Sequence, residues 1–191
     1  MPLQILRIWA KGKPGRDDEA NVDAAITNAQ NIFKFLTLKV WGEVNLEEQG
    51  ILPNAIGFTD AQDYVDADTA DGQAIATVRD YYLDANHRQG KPVYVLFVIP
   101  AGELQNANGF SLLSGYCSVV PIPTGVAGTA DGHTYAHEIA HGLSLEHVQN
   151  PNNLMYPYRQ VPNHGLSGDA LTVEQLKGMR GFLSKKPSLV F

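Results

Sequence analysis

Disulfide bonds are the first feature that the sequence excludes, because Cys117 is the only cysteine among 191 residues. One cysteine cannot form an intrachain bridge, so the chain is not one of the small secreted scaffolds that disulfides hold together. Long apolar runs are also missing. The longest, residues 93–99, has the length of a strand, whereas a membrane-spanning helix needs roughly 20 apolar residues. We therefore expect no membrane span.

Basic residues are scarce and dispersed. The chain has 14 Lys and Arg against 20 Asp and Glu, which gives a net charge of −6. This balance excludes the clustered positive surface by which proteins bind nucleic acids. The first residues, MPLQ, do not begin a basic segment followed by an apolar one, so we expect no signal peptide here.

The order of the predicted elements indicates a single domain of the α/β class. Residues 3–10, 37–44 and 92–99 are typical of strands in their alternation or in their β-branched and aromatic content. Apolar residues at helical spacing predict helices over residues 17–36 and 72–87. Strands that alternate with helices favour a mixed sheet with helices packed on it.

A further strand is predicted over residues 110–123. Pro121 and Pro123 cannot donate to a strand ladder, so this strand should lie at an edge of the sheet. Cys117 would be a small residue packed within it. An open edge can pair with an extended peptide, although an ordinary edge strand that ends in a loop fits the sequence equally well.

Residues 45–71 are acidic and irregular. A solvated loop is the simpler interpretation of such a segment. The alternative is a calcium site, although the spacing of the acids does not match the EF-hand pattern. The candidate ligands are Asp60, Asp63, Asp66, Asp68 and Asp71.

The most informative segment is residues 133–158, HTYAHEIAHGLSLEHVQNPNNLMYPY. On a helix, His137 and His141 lie one turn apart on the same face, where both imidazoles can bind one zinc ion. Glu138 follows the first histidine, and its carboxylate can there take a proton from a metal-bound water. His133, four residues before His137, is expected to be exposed near the start of the helix.

A third ligand could be His147, six residues beyond His141. In a continuous helix it would lie about 9 Å further along the axis and on another face. It can therefore reach the same metal only if the helix ends between the two, and Gly142 is a possible helix breaker there. Three neutral histidines leave the fourth tetrahedral position open for water, as in catalytic zinc sites.

This segment resembles the zinc signature of the metzincin metalloproteases, HExxHxxGxxH, whose charged and metal-binding positions fall on His137, Glu138, His141 and His147. The glycine of the signature falls on Ser144. That glycine turns the chain out of the helix with a positive φ, which costs serine roughly 1 kcal/mol more than glycine. Either Ser144 tolerates this conformation, or the chain turns elsewhere with help from the preceding glycine.

Residues 153–158, NLMYPY, resemble the methionine turn that lies beneath the metal in metzincins. The resemblance implies that Met155 packs below the histidines without binding the metal. The letters MYP are closest to the matrixin branch. In that branch the segment after the methionine forms a wall of the S1′ pocket, which implies substrate contacts for Pro157 and Tyr158.

Residues 171–179 resemble the last helix of matrixin catalytic domains. The residues themselves support a helix there, because Thr172 and Gln175 fit a capping box at its start. Its apolar stripe would consist of Leu176, Met179 and Leu183.

The resemblance implies a metzincin-like fold: a twisted mixed sheet with an edge strand over the cleft, an active-site helix and a C-terminal helix. It implies one catalytic domain, with an N-terminal sheet and helix lobe over about residues 1–142 and a small C-terminal lobe over about 143–191. The implied activity is that of a zinc-dependent endopeptidase with one catalytic Zn²⁺, Glu138 as general base and a protein or peptide substrate.

Two alternatives remain open on the sequence. The chain could be a non-catalytic zinc-binding homologue, or a metalloprotease toxin or effector domain excised from a larger chain. We expect a monomer, and we favour secretion or delivery outside the cell.

Overall fold

The computed structural model describes residues 2–10, 14–45, 93–101, 109–111, 116–124, 129–157, 160–161, 165–166 and 168–185. The helix predicted over residues 72–87, the five aspartates considered for calcium, and Tyr158 all lie outside these residues. Within them, no helix is both long and apolar enough to cross a lipid bilayer.

A five-stranded mixed sheet forms the centre of the fold, and two further short strands pair separately. The strands are β1 Pro2–Trp9, β2 Thr37–Asn45, β3 Val93–Ile99, β4 Phe110–Ser111, β5 Cys117–Pro121, β6 Gln160–Val161 and β7 Gly165–Leu166. In spatial order the strands of the large sheet run β2-β1-β3-β5-β4. The first four are parallel to one another, and β4 is antiparallel to β5. The short strands β6 and β7 are antiparallel to each other.

Three helices complete the described fold: α1 Arg16–Phe33, α2 Thr129–Gly142 and α3 Val173–Lys185. The apolar stripe predicted for α1 is buried, as the helical spacing requires. The predicted end at residue 36 was too late, because Lys34 takes a φ of 59° and the chain leaves the helix there. The side chain of Gln30 then accepts the backbone N–H of Leu38 at 2.9 Å, which ties α1 to the start of β2.

The core lies between the sheet and helices α1 and α2. Strand β3 is central, and its residues 94–99 are all buried, as the nearly continuous apolar run predicted. Helix α2 approaches α1 so closely at Gly132 that a Cβ atom there would lie 2.3 Å from the Cβ of Asn28. This tight contact fixes α2, which carries the candidate site, against the rest of the core.

The prediction of one edge strand over residues 110–123 was wrong. This stretch contains two antiparallel strands, in which Phe110 pairs with Val119. Strand β4 is the outer one, whereas β5 lies inside the sheet between β3 and β4. Pro121 pairs with Ile99 at the last position of β5, so the missing N–H of proline ends that strand instead of placing it at the edge. Cys117 is buried in the interior strand.

Candidate metal centre

Three histidine side chains converge on one point. His137 and His141 extend from the same face of α2, and their Nε2 atoms are 3.1 Å apart. The Nε2 atom of His147 lies 3.2 Å from that of His137 and 3.0 Å from that of His141. The structure therefore brings together the three residues that the sequence predicted as metal ligands, and they form a group that could hold a metal ion.

Backbone carbonyls fix the protonation of two of these rings. The Nδ1 atom of His137 lies 2.7 Å from the carbonyl oxygen of Leu154, and that of His141 lies 2.6 Å from the carbonyl oxygen of Leu145. A carbonyl only accepts, so in the neutral imidazole each Nδ1 carries the proton and each Nε2 presents a lone pair. Such outer hydrogen bonds are how proteins orient histidines that bind metal.

The electrostatics of the cluster favour the neutral imidazole, which is the form that binds metal. Burial, together with the neighbouring histidines, lowers the pKa of His137 to about 3 and that of His141 to about 4. Burial also lowers the pKa of His147. The Nε2 lone pairs of His137 and His141 face each other at 3.1 Å and repel unless a cation lies between them. Nitrogens bound at about 2.0–2.1 Å to one tetrahedral zinc lie about 3.3 Å apart, so the donor set fits zinc.

The chain reaches His147 through a tight turn at the end of α2. Leu145 donates its backbone N–H to the carbonyl of Ala140, and Ser144 donates to that of His141, each at 2.9 Å. This pair of bonds is a Schellman motif, whose turning residue needs a positive φ. Ser144 has a φ of 83° and is that residue. Serine therefore adopts the conformation for which metzincins use glycine, and the same turn directs the carbonyl of Leu145 at His141.

Gly142 is the last residue of α2 and has a different role from the helix breaker considered in the sequence. A Cβ atom at this position would lie 2.0 Å from the hydroxyl oxygen of Tyr94. Glycine is needed here because the helix packs directly against β3.

The predicted methionine turn lies next to the cluster. Leu154 and Met155 are both fully buried, and the carbonyl of Leu154 accepts the hydrogen bond from His137. Val148, the residue after the third histidine, donates its backbone N–H to the carbonyl of Met155 at 2.9 Å. Pro157 is half-buried two residues further on, and its part in a substrate pocket stays a prediction.

The carboxylate of Glu138 lies in a buried polar network. Its side chain is 7% exposed, and the hydroxyl of Ser111 donates to its Oε2 atom at 2.9 Å. That hydroxyl lies 2.7 Å from the hydroxyl of Ser118, which is in turn bonded to the hydroxyl of Tyr94. A Cβ atom on Gly109 would lie 2.5 Å from Cγ of Glu138, so the residue just before β4 packs directly against this side chain. Burial raises the pKa of Glu138 to about 8, and the bond from Ser111 opposes that rise.

Two features of the site were not predicted. Ser111 belongs to a strand that the sequence placed at the sheet edge, but nothing in the local pattern aims it at Glu138. His133 was expected to be exposed, and that expectation was wrong: it is 7% exposed, and its Nδ1 atom lies 2.5 Å from Oδ1 of Asp169. Asp169, which precedes α3, thus reaches the first half of α2, and the ring of His133 stacks on that of His137 with centroids 6.2 Å apart.

The described chain has the fold of zinc metallopeptidases. One solved structure that shares it is metalloproteinase-II from Bacteroides fragilis, with a TM-score of 0.54 and 16% identity over 95% of this chain and 52% of that one. Archaemetzincin from Methanopyrus kandleri matches with a TM-score of 0.52 and 12% identity over 95% of this chain and 96% of that one. A zinc-dependent peptidase from Methanocorpusculum labreanum matches with a TM-score of 0.53 and 12% identity over 92% and 99%.

The chain therefore spans about half the length of the Bacteroides fragilis protein and nearly all of the two archaeal ones. The TM-scores of 0.52–0.54 show a shared fold, and at identities of 12–16% the likeness shows the fold alone. No protein-family model matches the sequence, and no curated protein matches it as a sequence relative.

Proposed function

We propose that this protein is a zinc-dependent endopeptidase of the metzincin type, in which His137, His141 and His147 hold one catalytic Zn²⁺ and Glu138 is the general base. The observation that carries the proposal is the convergence of three Nε2 atoms to within 3.2 Å of one another. The helix that carries His137 and His141 also carries the buried Glu138 next to the first of them. Structures with the same fold are named as zinc-dependent or metalloproteinase enzymes, which agrees with this chemistry.

When bound, zinc supplies Lewis-acid polarisation of the scissile carbonyl and lowers the pKa of a coordinated water. Glu138 accepts the proton of the attacking water and later delivers it to the leaving amine. Ser111 keeps the carboxylate of Glu138 in one orientation by donating a hydrogen bond to Oε2. The backbone of His137 and His141 is held by α2, and their rings are directed by carbonyl groups that do not titrate.

Substrate binding is proposed at the edge of the sheet next to this carboxylate. In the described part of the chain β4 is the outer strand on one side of the five-stranded sheet, and an extended peptide can add to such an edge through main-chain hydrogen bonds. Because Ser111 of β4 and the preceding Gly109 both contact Glu138, a peptide seated there would pass beside the proposed base. Pro157 and Tyr158 are proposed to form a wall of the pocket for one side chain of that peptide.

The rival from another class is a non-catalytic zinc-binding protein of the same fold. A purely structural zinc site needs no base and is usually closed by a fourth protein ligand. The burial of Glu138 and its bond to Ser111 favour catalysis, because an acidic side chain is rarely buried without a function. A toxin or effector role would differ in the biological target and could keep the same chemistry.

The substitution Glu138→Gln separates these possibilities. It preserves the shape of the side chain and removes its capacity to take a proton. We expect the variant to keep its zinc and to cleave an unfolded protein at least about 100-fold more slowly than the wild type. Cleavage by Glu138→Gln at the wild-type rate would contradict the assignment of the base. A zinc-loaded wild type without any cleavage would favour the binding role.

A further inference from the structure

The methionine turn and the C-terminal helix are joined by a reciprocal pair of amide side chains. Nδ2 of Asn153 donates to Oε1 of Gln175 at 2.8 Å, and Nε2 of Gln175 donates to Oδ1 of Asn153 at 3.1 Å. Asn153 is 2% exposed, so water cannot replace either bond without opening the structure.

Each amide oxygen also accepts a backbone N–H, which fixes the orientation of both groups. Oε1 of Gln175 accepts from Thr172 at 2.9 Å, and the backbone N–H of Gln175 reaches Oγ1 of Thr172 at 3.2 Å, which is the predicted capping box. Oδ1 of Asn153 accepts from the backbone of Met155 at 2.9 Å. Rotating either amide by 180° would direct an NH₂ group at a backbone N–H, so the pair has one satisfied arrangement.

The backbone just before α3 is also hydrogen-bonded to the methionine turn and to the residues before it. Ala170 accepts the N–H of Leu154 at 2.8 Å, and Gly168 donates to the carbonyl of Pro151 at 2.8 Å. A Cβ atom on Gly168 would lie 2.3 Å from the carbonyl oxygen of Asn152, so only glycine permits this approach. The beginning of α3 and the residues before it therefore hold the turn from one side.

The other side of the turn faces the metal centre. Leu154 is bonded through its N–H to Ala170 and through its carbonyl to Nδ1 of His137, at 2.7 Å. Its two neighbours in the chain are Asn153 and Met155, which the amide pair restrains. A displacement of Asn153 would therefore move the acceptor that orients His137.

We propose that the Asn153–Gln175 pair sets the zinc affinity of the three-histidine site, by holding the carbonyl of Leu154 where it orients His137. This inference rests on the proposed function, in that the site is taken to bind zinc. Gln175 is a positioning residue in this scheme. Outer partners of metal-binding histidines typically change metal affinity by about 10–100-fold when they are replaced, which makes the effect measurable.

The substitution Gln175→Glu breaks the pair and keeps the helix cap. Glutamate is as good a capping-box residue as glutamine, because its carboxylate still accepts the N–H of Thr172. It cannot donate to Asn153, so an oxygen atom faces Oδ1 where the structure has an N–H group. Asn153→Asp breaks the pair from the other side, since it keeps the acceptor for Met155 and loses the donor to Gln175.

The matched control is Thr172→Ala, which weakens the helix cap and keeps the amide pair. It removes the Oγ1 atom that caps α3 and leaves the pair between Asn153 and Gln175 in place. We expect the control to lower the melting temperature of the metal-free protein by about 2–4 °C, as the loss of a cap does in a chain of this size.

The measurement is the zinc dissociation constant of the full 191-residue chain, by competition with a chromophoric chelator, together with thermal melting of the metal-free protein. We expect Gln175→Glu and Asn153→Asp to weaken zinc binding about 10-fold or more, with Thr172→Ala within about 2-fold of the wild type.

Folded variants of the pair that bind zinc as tightly as the wild type would overturn the inference and leave the proposed function standing. A loss of affinity in Thr172→Ala as large as in Gln175→Glu would also overturn it, because the stability of α3 would then explain both. A wild type that takes up no zinc would contradict the proposed function itself.

Discussion

The hydroxyl of Ser111 lies 2.9 Å from Oε2 of Glu138 and 2.7 Å from the carbonyl oxygen of the same residue. The edge strand β4 and the histidine-bearing helix α2 therefore meet at the proposed base. One side chain of the strand proposed to seat the substrate thus restrains the carboxylate proposed to act on it.

Removing this hydroxyl should slow the chemical step. For Ser111→Ala we expect kcat to fall about 10- to 100-fold, because small displacements of a reacting group have effects of that size. The zinc content and KM should stay near the wild-type values, since in the described structure the hydrogen bonds of Ser111 reach Ser118 and Glu138 and none of the three histidines. Steady-state cleavage of a peptide gives both constants. Ser118→Ala, one step further from Glu138, should have a smaller effect, and an unchanged kcat in Ser111→Ala would refute the positioning role.

The close packing around the side chain of Glu138 can be tested by enlarging residue 109. Alanine there would place a Cβ atom 2.5 Å from Cγ of Glu138 and displace the side chain. We expect Gly109→Ala to lower kcat by about 10-fold or more, for the same geometric reason.

Gly178 is the matched control, because a Cβ atom there meets nothing within 4 Å. Gly178→Ala lies inside α3 and should leave kcat unchanged while it stabilises the protein by about 0.5–1 kcal/mol. If Gly109→Ala retained the full kcat, the close contact between Gly109 and Glu138 would have no effect on catalysis.

Ser144 stores backbone strain that glycine would release. With a φ of 83°, Ser144 is in the left-handed conformation, which is unfavourable for serine and not for glycine. Part of this gain is offset because glycine loses more conformational entropy on folding. We expect Ser144→Gly to raise the free energy of unfolding of the metal-free protein by up to about 1 kcal/mol, measured by urea denaturation. Ser144→Ala keeps the strain and should stay close to the wild type. A glycine variant less stable than the wild type would contradict the prediction that relief of strain is the larger of the two effects.

The buried carboxylate predicts a specific pH dependence for the metal-free protein. Burial raises the pKa of Glu138 from 4.5 to about 8, so the folded state binds this proton more tightly than the unfolded state does. The stability that this group contributes is complete below about pH 4.5 and is lost as the pH rises to about 8. Glu138→Gln removes the titration, so its free energy of unfolding should fall less than that of the wild type between pH 5 and about pH 8. If the free energy of unfolding, measured by urea denaturation, depended on pH equally in the two proteins, the raised pKa of Glu138 would be contradicted.

Local patterns predicted much of the site. The spacing of His137 and His141 placed both on one face of α2, and the capping box at Thr172 and Gln175 is present with both of its bonds. These predictions succeeded because helix periodicity and capping depend on residues three or four positions apart. The signature left open whether Ser144 would take a positive φ or the chain would turn elsewhere, and the structure shows the positive φ at Ser144.

Contacts between segments that are distant in the chain could not be predicted from local sequence patterns. The strands β4 and β5 form one apolar stretch in the sequence, and only their pairing shows that the chain reverses between them. The buried His133 contacts Asp169, which is 36 residues away in the chain. The bonds of Ser111 to Glu138 and of Asn153 to Gln175 likewise depend on how elements pack. The division into two lobes and the roles of Pro157 and Tyr158 stay predictions.

The most direct test of the central claim is the metal content of the purified wild-type protein, measured together with cleavage of an unfolded protein with and without a chelator. The three-histidine site predicts about one zinc per chain, with cleavage that the chelator abolishes and added zinc restores. A protein that neither contains nor takes up zinc, or that cleaves equally well with the chelator present, would contradict it.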